Sequence, residues 1–250
     1  MVLTSAFLML AVTFLCTFFA LAAQKTSVGA SISIVYTAPS YILPTGTEFN
    51  KLIPTDCTTI IFDDISKSDY SSVVAAGGGT SVAPESGREP GITIFYNGTS
   101  KTMYVLTDGD IVAAEDSSSM FRALMDLEVI KFNKFNTSNV KNMSYMFAGC
   151  MGLKEADFSG FNTAKVENMN YMFGMVWSLP SIDVSKFNTA NVTDMSNMFA
   201  MTGEITLNLS NFNTAKVKNM NSMFTNTSIK ELDLSNFNTS KVTDMGNMFA

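Results

Sequence analysis

Two hydrophobic periods alternate along the second half of the chain. Between residues 231 and 235, Leu232 and Leu234 alternate with the polar Glu231, Asp233 and Ser235. A period of two predicts a short strand with one buried face. Beyond Phe237 the period changes: Val242, Met245, Met248 and Phe249 are spaced by three, three and one. At about 100° per residue these four fall within an arc of roughly 120°, one stripe of a short helix. Between them stands Asn238-Thr239-Ser240, short polar side chains suited to turns and helix caps because they bond nearby backbone N–H groups. The pattern predicts strand, turn, one or two helical turns, and return.

That unit recurs. Phe-Asn-Thr begins at Phe135, Phe161, Phe187, Phe212 and Phe237, at intervals of 26, 26, 25 and 25 residues. Each copy is followed by Met-Phe, at Phe147, Phe173, Phe199, Phe224 and Phe249, and an earlier half-unit ends at Met120-Phe121. The strand slots hold Leu127, Ile130 and Phe132, then Leu153, Ala156 and Phe158, then Leu179, Ile182 and Val184, then Ile205, Leu207 and Leu209. The stripe repeats as Val140, Met143, Met146, Phe147 and as Val192, Met195, Met198, Phe199. Recurrence at this interval marks a stacked array in which neighbouring units bury a joint core. The expectation is an α/β repeat solenoid of 25–26-residue coils, with strands in a parallel ladder about 4.8 Å apart.

The unit I-K-E-L-D-L-S-N-F-N-T-S-K-V-T-D-M-G-N-M-F, residues 229–249, resembles the BspA-like leucine-rich-repeat surface proteins. The resemblance covers residues 120–250 and, more loosely, the β-rich stretch before them. It implies leucine-rich-repeat-like coils and a bacterial surface or secreted protein linked to adhesion, and it brings no catalytic residues.

Residues 1–23 carry no charged side chain, and residues 6–19 form an apolar core of signal-peptide length before the small residues 20–22. The segment reads as a cleaved signal peptide or a retained membrane anchor, although no Lys or Arg precedes Lys25. Residues 24–113 read as a linker and a β-rich cap over the first coil, with strands at 31–36, 58–62, 92–96, 101–107 and 111–113. Residues 75–91 are a Gly- and Pro-rich loop, and without a following Lys-Ser/Thr the triplet Gly77-Gly78-Gly79 is no phosphate loop. Residues 114–250 form the repeat array, and the final Met248-Phe249 in mid-cycle reads as truncation.

The chemistry available is narrow. Histidine is absent, which removes the commonest general base and metal ligand. Of three cysteines, Cys16 lies in the leader, and Cys57 and Cys150 are read as buried thiols, with a disulfide as the alternative. Charged residues are only 15% of the chain and the net charge is −6, without a Lys/Arg run, so nucleic acid and anionic lipid are excluded as partners. The repeat stripe holds ten of the 18 methionines, at core spacing. Seven N-x-S/T sites, including Asn97, Asn142, Asn191 and Asn238, are glycan acceptors in a eukaryotic secretory pathway and incidental in a bacterium.

The outward strand positions make the one candidate site. Asp157, Asp183, Asn208 and Asp233 share one slot, with Lys131 in the first coil. Ser159, Ser185, Ser210 and Ser235 form a second column, with Asn133 in the first coil. Like charges directly opposite are destabilising, so the acid column calls for turn hydrogen bonds, solvent screening or a cation such as Ca²⁺. No catalytic group, resident cofactor or metal is implied. The reading is an exported or cell-surface binding module that recognises a protein or glycan along its sheet face, touching the membrane only through the N-terminal segment. A self-associating structural component of the surface is the rival.

Overall fold

The computed structural model describes residues 33–37, 42–64, 91–107 and 109–250, and of residues 33–37 only the backbone. The leader with Cys16 and nearly all of the 75–91 loop lie outside the described residues. Strands β1 (Ser33–Thr37), β2 (Thr59–Asp64), β3 (Gly91–Asn97), β4 (Thr102–Thr107), β6 (Val129–Phe132) and β8 (Glu155–Ala156) form one mixed sheet in the order β1-β3-β4-β2-β6-β8. β3 runs antiparallel to β1 and β4, whereas β2 runs parallel to β4 and β6. A second parallel pair joins β5 (Ile111–Val112) to β7 (Phe135–Asn136). Ile and Phe at alternating positions drive this sheet, with Ile60 and Phe62 of β2 and Met103 and Val105 of β4 all fully buried.

The α/β expectation is overturned. Among the described residues the α-helix is α1, Gly46–Leu52, and it lies ahead of the repeats. Asn50 Nδ2 fixes α1 to the first coil by donating to the carbonyls of Met120 and Arg122, at 3.2 and 3.1 Å. The helix approaches the coil so closely that a Cβ on Gly46 would lie 2.3 Å from the Ser118 carbonyl oxygen. None of the Val/Met/Met/Phe stripes is helical. The strand slots shrink as well, to two residues in β8 and then to the single bridge Ser181↔Thr206. Residues 231–235 have no ladder partner among the described residues.

The backbone hydrogen bonds explain why no helix forms. A helix satisfies each N–H four residues back along its own chain. Here Met143, Tyr145, Phe147 and Gly149 donate outward, to Asn168, Asn170, Met172 and Gly174 of the next coil, at 2.8–2.9 Å. The residues between them bond locally: Ser144 N–H to the Asn142 side chain, and Met146, Ala148 and Cys150 each to the carbonyl three residues back. In the turns closed at Met146 and Cys150 the third residue, Tyr145 or Gly149, is in the left-handed region, as a type II turn requires. Tyr145, Tyr171, Asn197, Ser222 and Asn247 occupy it, at φ between 54° and 59°. A second left-handed residue follows four positions on, at Gly149, Met175, Met201 and Asn226. With a left-handed residue every four positions, these turns bury side chains at the three- and four-residue spacings that a helix also uses, so the apolar spacing is common to both.

A continuous interior results. Val140, Met143, Met146 and Phe147 and their equivalents through Phe224 are buried. The Phe that ends each stripe stacks on the next: Phe121, Phe147, Phe173, Phe199, Phe224 and Phe249 lie 5.3–5.9 Å apart, with interplanar angles of 15° or less. In the last coil the column reaches solvent, with Phe249 65% exposed.

Candidate functional site

Phe-Asn-Thr divides its work three ways. The Phe enters the core. The Asn closes a turn on itself: Oδ1 of Asn136, Asn162, Asn188, Asn213 and Asn238 accepts the N–H two residues on, at 2.9–3.1 Å. The Thr is a clamp between coils. Thr137 Oγ1 donates to the Asn162 carbonyl at 3.0 Å and accepts the Asn162 N–H at 2.8 Å, and Thr163, Thr189 and Thr214 repeat the pair. All four are buried.

The outward columns use the same turn. Asp157, Asp183, Asn208 and Asp233 are exposed, and Oδ1 of each accepts the backbone N–H of Ser159, Ser185, Ser210 or Ser235, at 2.8–3.1 Å. The bond favours the ionised form. The Ser159 N–H, and then its hydroxyl, hold Asp157 below the usual carboxylate range. At Asp183 the Ser185 hydroxyl leads and its N–H follows; at Asp233 the Ser235 N–H leads. Local bonding therefore accounts for a column of acids on adjacent coils. Among the described residues no three His, Cys, Asp or Glu side chains gather closely enough to hold a metal ion. Cys57 and Cys150 are buried thiols, each donating to a carbonyl, of Thr59 at 3.2 Å and of Phe121 at 3.0 Å.

The columns are not uniform along the stack. Between the first and second coils the face opens into a cleft of about 540 Å³, walled by Lys131 and Asn133 on one side and by Glu155, Asp157 and Ser159 on the other, with Phe132 and Ala156 beneath. Gly160 is part of its lining. The equivalent slot holds Lys134, Lys186, Asn211 and Asn236 in the other coils. Asn211 Nδ2 reaches back to the Ser185 carbonyl at 2.6 Å, and Asn236 Nδ2 to the carbonyls of Leu209, Ser210 and Phe212 at 2.9–3.2 Å. These amides bridge their seams. Gly160 has none, and a Cβ built there would meet no atom within 4 Å. The periodicity singles out Asp157 and Ser159 and places Phe132 in an apolar strand slot, but it passes over Glu155 and Gly160. The signal for Gly160 was present in the alignment of the repeats, as the one slot member lacking a side chain.

Against known families, the chain is matched twice by the model described as Mycoplasma protein of unknown function, DUF285, over residues 93–180 and 174–250. No curated protein matches it. No solved structure does either.

Proposed function

We propose that the chain, which belongs to the DUF285 family, is a non-enzymatic binding module displayed outside the cell, where its outward polar face recognises a protein or glycan. One observation carries the reading. On the second to fifth coils the same two positions present polar side chains, and the first of each pair, an exposed acid or amide, is fixed by an internal turn. A broad face of pre-oriented donors and acceptors on a buried, stacked scaffold suits a large partner, because little side-chain freedom is lost on contact. The family description names no activity, so the reading stands on the face itself. Display outside the cell is proposed from the uncharged apolar segment 1–23. Among the described residues no helix is long and apolar enough to cross a membrane. The likeness to BspA-like surface proteins supports adhesion through the repeat sequence, without a leucine-rich-repeat helix.

The test is retention of matrix proteins and glycans by the immobilised chain, compared with a variant carrying Asp183→Lys, Asn208→Lys and Asp233→Lys. Retention that is lost in the triple variant supports the reading. Retention of nothing foreign, with the chain binding only other copies of itself, favours the structural role instead.

A further inference from the structure

We propose that the cleft opened at Gly160 is a subsite for an uncharged saccharide. The proposal rests on the binding-module reading above and narrows it to one place and one chemistry. The slot rule shows how the cleft arises. Where Asn211 and Asn236 reach back, the seam between coils is bridged; where Gly160 stands, it is open. The same coil boundary is where Lys131 replaces the acid of the column, so the cleft has a cation on one wall and Glu155 and Asp157 on the other. Among the described residues none of these three is joined in an ion pair.

Charge selects the ligand class. An anion drawn to Lys131 would face two carboxylates, and a cation drawn to the carboxylates would face the ammonium; either leaves one wall opposed. A neutral ligand bearing many hydroxyls satisfies both walls, donating to Asp157, Glu155, the Asn133 amide oxygen and the Ser159 hydroxyl oxygen, and accepting from Lys131. Phe132 turns its ring into the core, against Phe62, Phe135 and Phe161 at 4.9–5.7 Å, so recognition rests on the polar side chains around the cleft. A volume of about 540 Å³ falls in the range of small-molecule sites and is wide enough for a mono- or disaccharide. Asp157 keeps a fixed orientation because one oxygen is already held by the Ser159 N–H at 2.8 Å. An uncharged peptide meets the charge criterion too, but it would have to extend the outer edge of β8, whereas the cleft lies over β6 and β8, whose facing edges are already paired.

The experiment probes the full chain with an array of uncharged, sialylated and sulfated oligosaccharides beside uncharged peptides. Calorimetry then compares the best uncharged oligosaccharide on wild type, Gly160→Asn and Asn211→Ala. Asn is the residue that already fills this slot in two other coils, so Gly160→Asn is expected to fold with an unchanged or raised melting temperature. The prediction is selective retention of uncharged glycans, an affinity at least about tenfold lower in Gly160→Asn, and no change in Asn211→Ala. Retention of charged glycans or of peptides alone overturns it, as does equal affinity in Gly160→Asn. If Gly160→Asn binds normally while the Asp183/Asn208/Asp233 triple variant does not, the face is a binding surface and the cleft is not its subsite. If neither glycan nor matrix protein is retained, both readings fall.

Discussion

The sheet ahead of the repeats and the repeats themselves stack in the same direction by different means. In the sheet, β2 runs parallel to β4 over six residue pairs and to β6 over four, so the join is a continuous ladder. In the repeats the ladder shrinks to single bridges, Asp116↔Asn142↔Asn168↔Asp194↔Asn219↔Asp244, and alternate N–H groups turn inward to local partners. Ile, Phe and Val build the first, and Asn, Asp, Ser and Thr set the second. The comparison teaches that a polar side chain can do structurally what a β-branched one does: Asn and Asp close the corners, and a buried Thr hydroxyl replaces ladder bonds between coils.

The largest effect is expected where the two regions agree, in the shared aromatic column. Phe173, stacked between Phe147 at 5.5 Å and Phe199 at 5.9 Å, should lose roughly 3–5 kcal/mol as Phe173→Ala, against within about 0.5 kcal/mol for the exposed Phe249→Ala. Urea denaturation of both variants checks it, and equal losses would mean that the column does not unite the coils. The clamp comes next. Thr163→Val leaves the Asn188 N–H and carbonyl without their hydroxyl and should cost about 1–3 kcal/mol, with Thr163→Ser retaining much of the difference. Similar losses for Val and Ser would show that packing rather than the hydroxyl holds the seam.

Part of this was legible in the residues. Spacing alone marks Val140, Met143, Met146 and Phe147 as core, and they are buried. The helix that this spacing predicts does not form, because a period near three or four is shared by helices and by chains of tight turns. Composition carried the distinction: Asn142, Ser144 and Gly149 interrupt the stripe with residues that bond their own backbone or accept a left-handed conformation. The outward acids Asp157, Asp183 and Asp233 were found by register. The cleft was not, since a missing side chain at Gly160 shows only when it is compared with Asn211 and Asn236 and their reach across the seam is known.

Smaller effects sharpen the contrast between open and bridged seams. A Cβ on Gly160 would meet no atom within 4 Å and the residue does not sit in the left-handed region, so Gly160→Ala should raise stability by about 0.4–1 kcal/mol by restricting the unfolded chain. Thermal denaturation checks it, and a loss would mean that the slot tolerates only glycine. The smallest effect concerns acid. Asp157, Asp183 and Asp233 have folded values below 3.8, so between the two values the unfolded chain binds more protons than the folded one. Their contribution is fully present above about pH 4 and is lost as the pH falls through the folded values. Asp183→Asn, which copies the natural Asn208, should flatten that acid limb slightly in a denaturation series from pH 5 to about pH 2; an unchanged limb would show that the Ser185 bonds do not favour the carboxylate.

The claim that the coils are turns rather than helices is tested most directly at Ser222, where φ is 55°. The measurement is the stability difference between Ser222→Gly and Ser222→Ala, each of which removes the hydroxyl bond to Asn221. A left-handed turn predicts the glycine variant to be the more stable by about 1 kcal/mol. A helix would reverse the order by about the same amount, and that reversal would contradict the account.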